Sequence, residues 1–359
     1  MSPSTMTALR LESWHSTPVL REVPVPTPGP GGVLVQVGGA GACHSDLHLM
    51  DEFSDGLLPW GPPFTLGHEN AGWVHALGDG VTGLEVGQPV AVVGAWGCGS
   101  CDRCRLGLET YCDHPERTAA PGGGGGLGLD GGMADYLLVP SARHVVPLPG
   151  GLHPADAAPL TDAGLTPYHA VRRSLPKLLP GSVAVVIGVG GLGHLAVQVL
   201  KAISGAVVVA VDSREASRDL AKRCGADVVV APGDDAVAEV RAAGHGLGAE
   251  VVLDMVGSDD TLALAAGVSR QLSDITVVGI GGGSLPFGFF TVPYEASVQT
   301  TYWGNRTELV EVLDLAARGL LRAETTRFPL AEAAGVYDRL RRGEVAGRAV
   351  VVPHEEHRP

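Results

Sequence analysis

The chain has 359 residues, and its 25 basic and 39 acidic side chains leave a formal charge of −14. That length suits about two domains, and the acidic balance argues against nucleic acid as a partner. Glycine is abundant at 52 residues, but there is no Gly-X-Y period to suggest collagen, and a composition 45% hydrophobic and only 18% charged excludes a disordered chain.

Residues 1–16 lack the apolar stretch of a secretory signal, so the expectation is a soluble, cytoplasmic protein. Residues 1–159 read as an irregular β-rich domain, with short apolar runs such as Gly32–Val37 and Val90–Val93 between Pro and Gly clusters. The glycine-rich stretch Pro121–Gly132 reads as a surface loop. The texture changes near Thr161. Over residues 160–301, apolar strands at Ser182–Gly188, Ala206–Val211, Asp227–Val230, Glu250–Met255 and Ile275–Ile280 alternate with helical patterns, including Leu192–Ile203, Glu215–Cys224 and Asp234–Ala243. Strands apolar throughout and separated by helices predict an α/β fold, a doubly wound parallel sheet covered on both faces. Val183–Leu200 has no Asp, Glu, Lys or Arg, but its four glycines and charged flanks mark a buried strand, turn and helix rather than a membrane span. Residues 302–359 carry amphipathic helices from about Arg306 and over Ala331–Arg342, then a strand at Gly347–Val352 and a frayed tail from His354.

Three motifs carry chemistry. Gly188-Val189-Gly190-Gly191-Leu192-Gly193 is G-x-G-x-x-G between a strand and a helix, the context in which it binds a dinucleotide pyrophosphate. Asp212 ends the next strand 19 residues after Gly193, placed to hold ribose hydroxyls, so NAD is expected over NADP. Cys98, Cys101, Cys104 and Cys112 supply four thiolates in one lobe, about residues 95–113. Their spacing suits a closed tetrahedral zinc better than an iron–sulfur cluster, whose runs place the fourth cysteine closer. The third concentration is Cys43-His44-Ser45-Asp46-Leu47-His48 with Gly67-His68-Glu69. A thiolate, an imidazole and one more ligand would make an open, catalytic zinc site; Asp162 is a candidate for that third ligand. Cys224 has no metal role.

These motifs, in this order, resemble the zinc-dependent medium-chain alcohol dehydrogenases over essentially the whole chain. The stretches Pro159–His169 and Tyr302-Trp303-Gly304 are similar to bacterial NAD-dependent secondary-alcohol dehydrogenases. The resemblance implies a Rossmann domain beside a GroES-like catalytic domain, and two zincs per chain. It implies Cys43, His68 and Asp162 as ligands of a catalytic zinc. Asp46 would orient the histidine, Glu69 would stand behind or approach the metal, and Ser45 and His48 would relay the proton. Gly188, Gly190, Gly191, Leu192, Gly193 and Asp212, with Thr166, His44 and Arg348, would contact NAD. Phe53, Trp60, Leu127, Phe290, Tyr302 and Trp303 are candidate walls for medium-sized hydrophobic secondary alcohols and ketones. A homodimer or homotetramer is implied, with the segment Gly281–Glu295 as its surface. Alternatives are a polyol or amino-alcohol dehydrogenase of the same fold, or a zinc-free protein similar to quinone reductases.

Overall fold

The computed structural model describes residues 4–354; the expected frayed tail, beyond His354, lies outside the described residues. Two compact units form. The first comprises the chain up to Leu165, Trp303–Ala317 and the stretch from Ala323 onward. The second comprises Thr166–Tyr302 and Arg318–Arg322. Among the described residues no helix is long and apolar enough to cross a membrane.

In the first unit the central strand is Val33–Ala42, longer than the apolar run Gly32–Val37 suggested. Its first half is Val-Leu-Val-Gln-Val, mostly β-branched and apolar, whereas its second half, Gly38-Gly39-Ala40-Gly41-Ala42, offers no side chain larger than a methyl and is wholly buried. That half can therefore be crowded from every side. Glu69–Leu77 pairs antiparallel along the strand, Tyr136–Val139 pairs at its start, and the closing strand Arg348–Val352 pairs at its end. The register sets Gly41 opposite Glu69. Cys43 immediately follows the first strand and His68 immediately precedes the second, so backbone pairing alone brings the two side by side. A core of Leu9, Leu11, Met50, Phe64, Leu66, Met133, Leu137 and Tyr337 fills the unit's interior.

The stretch Pro121–Gly132 is not a surface loop. Gly123–Gly126 are buried. A Cβ on Gly124 would overlap the Gly94 carbonyl oxygen, and one on Gly126, which also has φ +83°, would lie 2.5 Å from the Gly67 carbonyl group. The glycines are there because backbone packs on backbone next to His68, a close approach that composition alone does not reveal.

The second unit is a six-stranded parallel sheet. Its spatial order is Val228–Val230, Val207–Val211, Val183–Ile187, Ala249–Asp254, Ser269–Val277 and Ser297–Thr300, or 3-2-1-4-5-6. This is the doubly wound dinucleotide-binding order. The first strand is buried at all five residues, as a strand covered on both faces must be. The sixth, Ser-Val-Gln-Thr, alternates too weakly for its sequence to mark it.

Gly126→Ala is expected to cost about 3 kcal/mol, from a strained φ and a clash together. Gly29→Ala, where a Cβ meets nothing within 4 Å, should stay within about 0.5 kcal/mol of the parent. Unfolding midpoints of the two variants check the contrast.

Candidate active site

Cys43, His68 and Asp162 converge in the first unit, with one ligand atom from each inside a span of 4.8 Å. His68 Nε2 is 3.5 Å from Asp162 Oδ2, and Cys43 Sγ is 3.9 Å from the same oxygen. Ligand atoms of a tetrahedral zinc with bonds of 2.0–2.3 Å stand about 3.3–3.8 Å apart, so the three fit one. Burial works against a charged His68 imidazole, but Asp46, Asp162 and Cys43 outweigh it and raise its pKa well above the ordinary histidine value.

Each ligand is held from behind. The helix His44–Asp51 starts after Cys43, and Asp46 in its first turn accepts the Cys43 backbone N–H at 3.2 Å. The other Asp46 oxygen is 2.9 Å from His68 Nδ1, which turns Nε2 towards the triad. The Tyr337 hydroxyl donates to Asp46 at 2.9 Å. Burial and then Asp46 push its pKa well up, so it remains a donor. Behind Asp162, Glu69 Oε1 accepts the Ala163 N–H at 3.3 Å and a bond from Arg348 Nη2. Burial pushes Arg348 towards losing its proton, but Glu69, Cys43 and Asp162 prevail and keep it charged. Arg348, expected to touch a pyrophosphate, is 2% exposed and engaged with Glu69. Glu69 Oε2 is buried without a hydrogen bond, in space that only a glycine at position 41 leaves open.

Ser45 Oγ lies 3.2 Å from His68 Nε2. His48, one turn on, is partly exposed and its Nδ1 meets Glu52 at 2.7 Å. His44 opens the same helix with its side chain in solvent.

The four cysteines form the second cluster. Cys98 Sγ is 4.0 Å from Cys104 Sγ, and Cys101 Sγ is 3.9 Å from Cys112 Sγ. Sulfur atoms around one zinc stand about 3.8 Å apart, and the four are not joined as disulfides. Backbone N–H groups of Cys98, Cys104 and His114 point at these sulfurs at 3.3–3.5 Å. Backbone donation from Ser100 lowers Cys98 to about 5, while burial pushes Cys104 up to about 12; a dication is what would make all four thiolates at once. The lobe is anchored by Glu109, which takes Arg143 Nη2 at 2.6 Å and sits beside His144, itself stacked on Trp96 at 5.6 Å. Burial raises the Glu109 carboxyl, but His144 and Arg143 reverse this and hold it low.

In the second unit the glycine-rich turn has the form a pyrophosphate needs. Gly188 has φ +86°. A Cβ on Gly193 would overlap the Gly188 carbonyl oxygen, whereas one on Gly190 would meet nothing nearer than 3.9 Å. Protein packing thus explains Gly193 but not Gly190, which leaves a cradle open for a ligand. Gly191 and Leu192 complete the turn, and the helix Gly193–Ile203 starts there without a side-chain cap, the kind of helix start at which phosphates bind. Asp212 accepts the Val189 N–H at 2.7 Å and the Arg214 N–H at 2.9 Å. It therefore fastens the turn as well as standing where a ribose is expected. Sequence reasoning missed His194, fully buried, whose Nδ1 meets the Gly190 carbonyl at 2.9 Å. Thr166 is buried near the start of its helix.

Of the candidate walls, Trp303 is buried edge-on to His68, with ring centroids 5.6 Å apart. Phe53, Trp60 and Leu127 are half-buried against the first unit's core. Tyr302 is 45% exposed, and Phe290 is 85% exposed against Phe289 in the second unit, a solvent position rather than a wall. Tyr337 and the Glu69–Arg348 pair were invisible as a shell because their partners lie 291 and 279 residues away.

Residues 29–150 match the alcohol dehydrogenase GroES-like domain, and residues 191–318 match the zinc-binding dehydrogenase domain. An NAD-dependent alcohol dehydrogenase of Sulfurisphaera tokodaii is 36% identical over 357 residues, covering 97% of this chain and 100% of its own. The alcohol dehydrogenase of the hyperthermophilic archaeon Aeropyrum pernix superimposes with TM-score 0.87 at 38% identity, covering 97% of this chain and 100% of that one. The acetophenone reductase of Geotrichum candidum, solved with NAD, gives 0.84 at 33% identity, covering 99% and 100%.

Tyr337→Phe removes one buried donor from Asp46 and is expected to cost about 1–2 kcal/mol. A lowered unfolding midpoint, with the fold unchanged by circular dichroism, checks it.

Proposed function

The chain belongs to the zinc-binding alcohol dehydrogenase family, NAD-dependent oxidoreductases of alcohols, and from that premise we propose that it interconverts medium-sized hydrophobic secondary alcohols and ketones with two zincs per chain. The observation that carries the reading is the convergence of Cys43, His68 and Asp162, whose ligand atoms lie within 4.8 Å of one another and would make three ligands of a tetrahedral zinc, with the fourth position for substrate. Zinc there supplies Lewis acidity to an alcohol oxygen, and NAD accepts the hydride.

The chain's own residues do the rest. Asp46 holds the His68 proton on Nδ1 and so keeps Nε2 basic. Ser45 Oγ, beside Nε2, is the group placed to take the substrate's proton. His48 stands three residues on along the same helix, at its edge with solvent, as the outlet. Asp212 presents a carboxylate that suits ribose hydroxyls and opposes a 2′-phosphate. The apolar substrate class is supported by the buried indole of Trp303 beside His68 and by the likeness to an acetophenone reductase.

The second zinc is assigned to Cys98, Cys101, Cys104 and Cys112 as a structural ion. The enzyme is taken to be a cytoplasmic homodimer or homotetramer. Self-association is supported by the exposed side chains of Phe287, Phe289, Phe290 and Tyr294 in the second unit.

Metal analysis is expected to give close to two zincs per chain, falling to one in Asp162→Ala with turnover abolished and NAD binding retained. Two zincs retained in that variant would sink the assignment. NADH absorbance with 2-alkanols should exceed that with sorbitol or threonine; the reverse order would favour a polyol or amino-alcohol enzyme. Asp212→Gly combined with Ser213→Arg should move the NAD/NADP ratio of kcat/KM towards NADP by at least tenfold.

A further inference from the structure

We propose that Trp303 is a positioning residue for the third metal ligand, its indole N–H holding the Thr161 carbonyl and through it the turn that aims Asp162. The proposal rests on the reading of Cys43, His68 and Asp162 as the zinc triad, and it gives Trp303 a task beyond that of a pocket wall.

The 3-10 turn Ala158–Thr161 ends at Asp162. The last carbonyls of a helical turn have no partner within it. Trp303 Nε1 donates to the Thr161 carbonyl at 2.9 Å, across 142 residues, in a buried setting. The same ring stands edge-on to His68 with an interplanar angle of 81°. One indole therefore meets His68 through its ring and, through a hydrogen bond to Thr161, the residue that immediately precedes Asp162.

Two features show that this pose is imposed. Trp303 has φ +56°, a left-handed conformation that is a true outlier for a bulky residue and that clusters where function over-determines the backbone. Gly94 supplies the room: any Cβ there would overlap the six-membered ring of the indole. A wall for an apolar substrate needs a ring face. It needs neither a donated N–H nor a strained backbone.

The test compares the zinc-loaded enzyme with two forms of position 303. Trp303→Phe removes the donor and shortens the ring. The benzothienyl analogue of tryptophan, incorporated at 303, keeps the shape and replaces only N–H by sulfur, so it remains informative if the phenylalanine form folds poorly. Zinc release to a chelator is followed with a colorimetric indicator, beside NAD titration and steady-state kinetics. The expected result is that one zinc leaves about tenfold faster in both forms, the other leaves at the parent rate, NAD affinity is unchanged and kcat falls more than KM rises. Parent release rates for both zincs, with KM alone altered, would reduce Trp303 to a wall and overturn the proposal. Faster release of both zincs would mark general loosening and overturn it equally. The triad reading fails separately, and takes the proposal with it, if Asp162→Ala leaves the fast-exchanging zinc in place.

Discussion

The antiparallel pairing of Gly41 with Glu69 is the constraint on which the first unit depends. It sets the ends of two strands level, so that Cys43 and His68 emerge side by side without help from any loop. It also requires glycine at position 41, because Glu69 occupies the space where a residue-41 side chain would stand. The same strand end admits the closing strand, which brings Arg348 against Glu69. A carboxylate buried this deeply is tolerable only when paired, so sheet register, glycine content and the ion pair form one solution.

The two metal clusters solve different problems. The triad has a short-range support in Asp46 on the Cys43 N–H, and draws others from afar: Glu69 on Ala163, Tyr337 on Asp46, Arg348 on Glu69 and Trp303 on Thr161. It brings together one thiol, one imidazole and one carboxylate. The cysteine lobe is local: four ligands within fifteen residues, three backbone N–H groups turned onto sulfur, and one buried carboxylate tying the lobe to Arg143 and His144. A closed sulfur shell leaves a metal nothing to react with, which is what a scaffold ion requires.

Much of this was legible in the sequence because it is local. The Rossmann strands are uniformly apolar runs, the glycine turn sits between strand and helix, and the four cysteines are close neighbours. What escaped is long-range or depends on the absence of a side chain. Gly123–Gly126 read as solvent-exposed by composition, yet they are packed beside Gly67 and Gly94. Val33–Ala42 continues as a strand through a glycine-rich half that reads as a break. Arg348 was expected at a phosphate, and its engagement with Glu69 follows from a strand pairing that no local pattern encodes. Phe290 carries an apolar side chain into solvent, where composition alone placed it in a pocket.

The Tyr337 hydroxyl on Asp46 has a consequence for the order of events at the ribosome. Cys43 and His68 are synthesised before the second unit, but the side chain that braces their shared aspartate, and the arginine that neutralises Glu69, follow only after it. Domains tend to fold as units from the N-terminus, yet this unit is sequence-discontinuous and must wait until the entire second unit has been made. The emerging polypeptide thus carries Cys43 and His68 with incomplete support while the second unit is being made. The shell around the triad is complete only after the second unit has been translated, whereas the cysteine lobe has all four of its thiols before that unit begins.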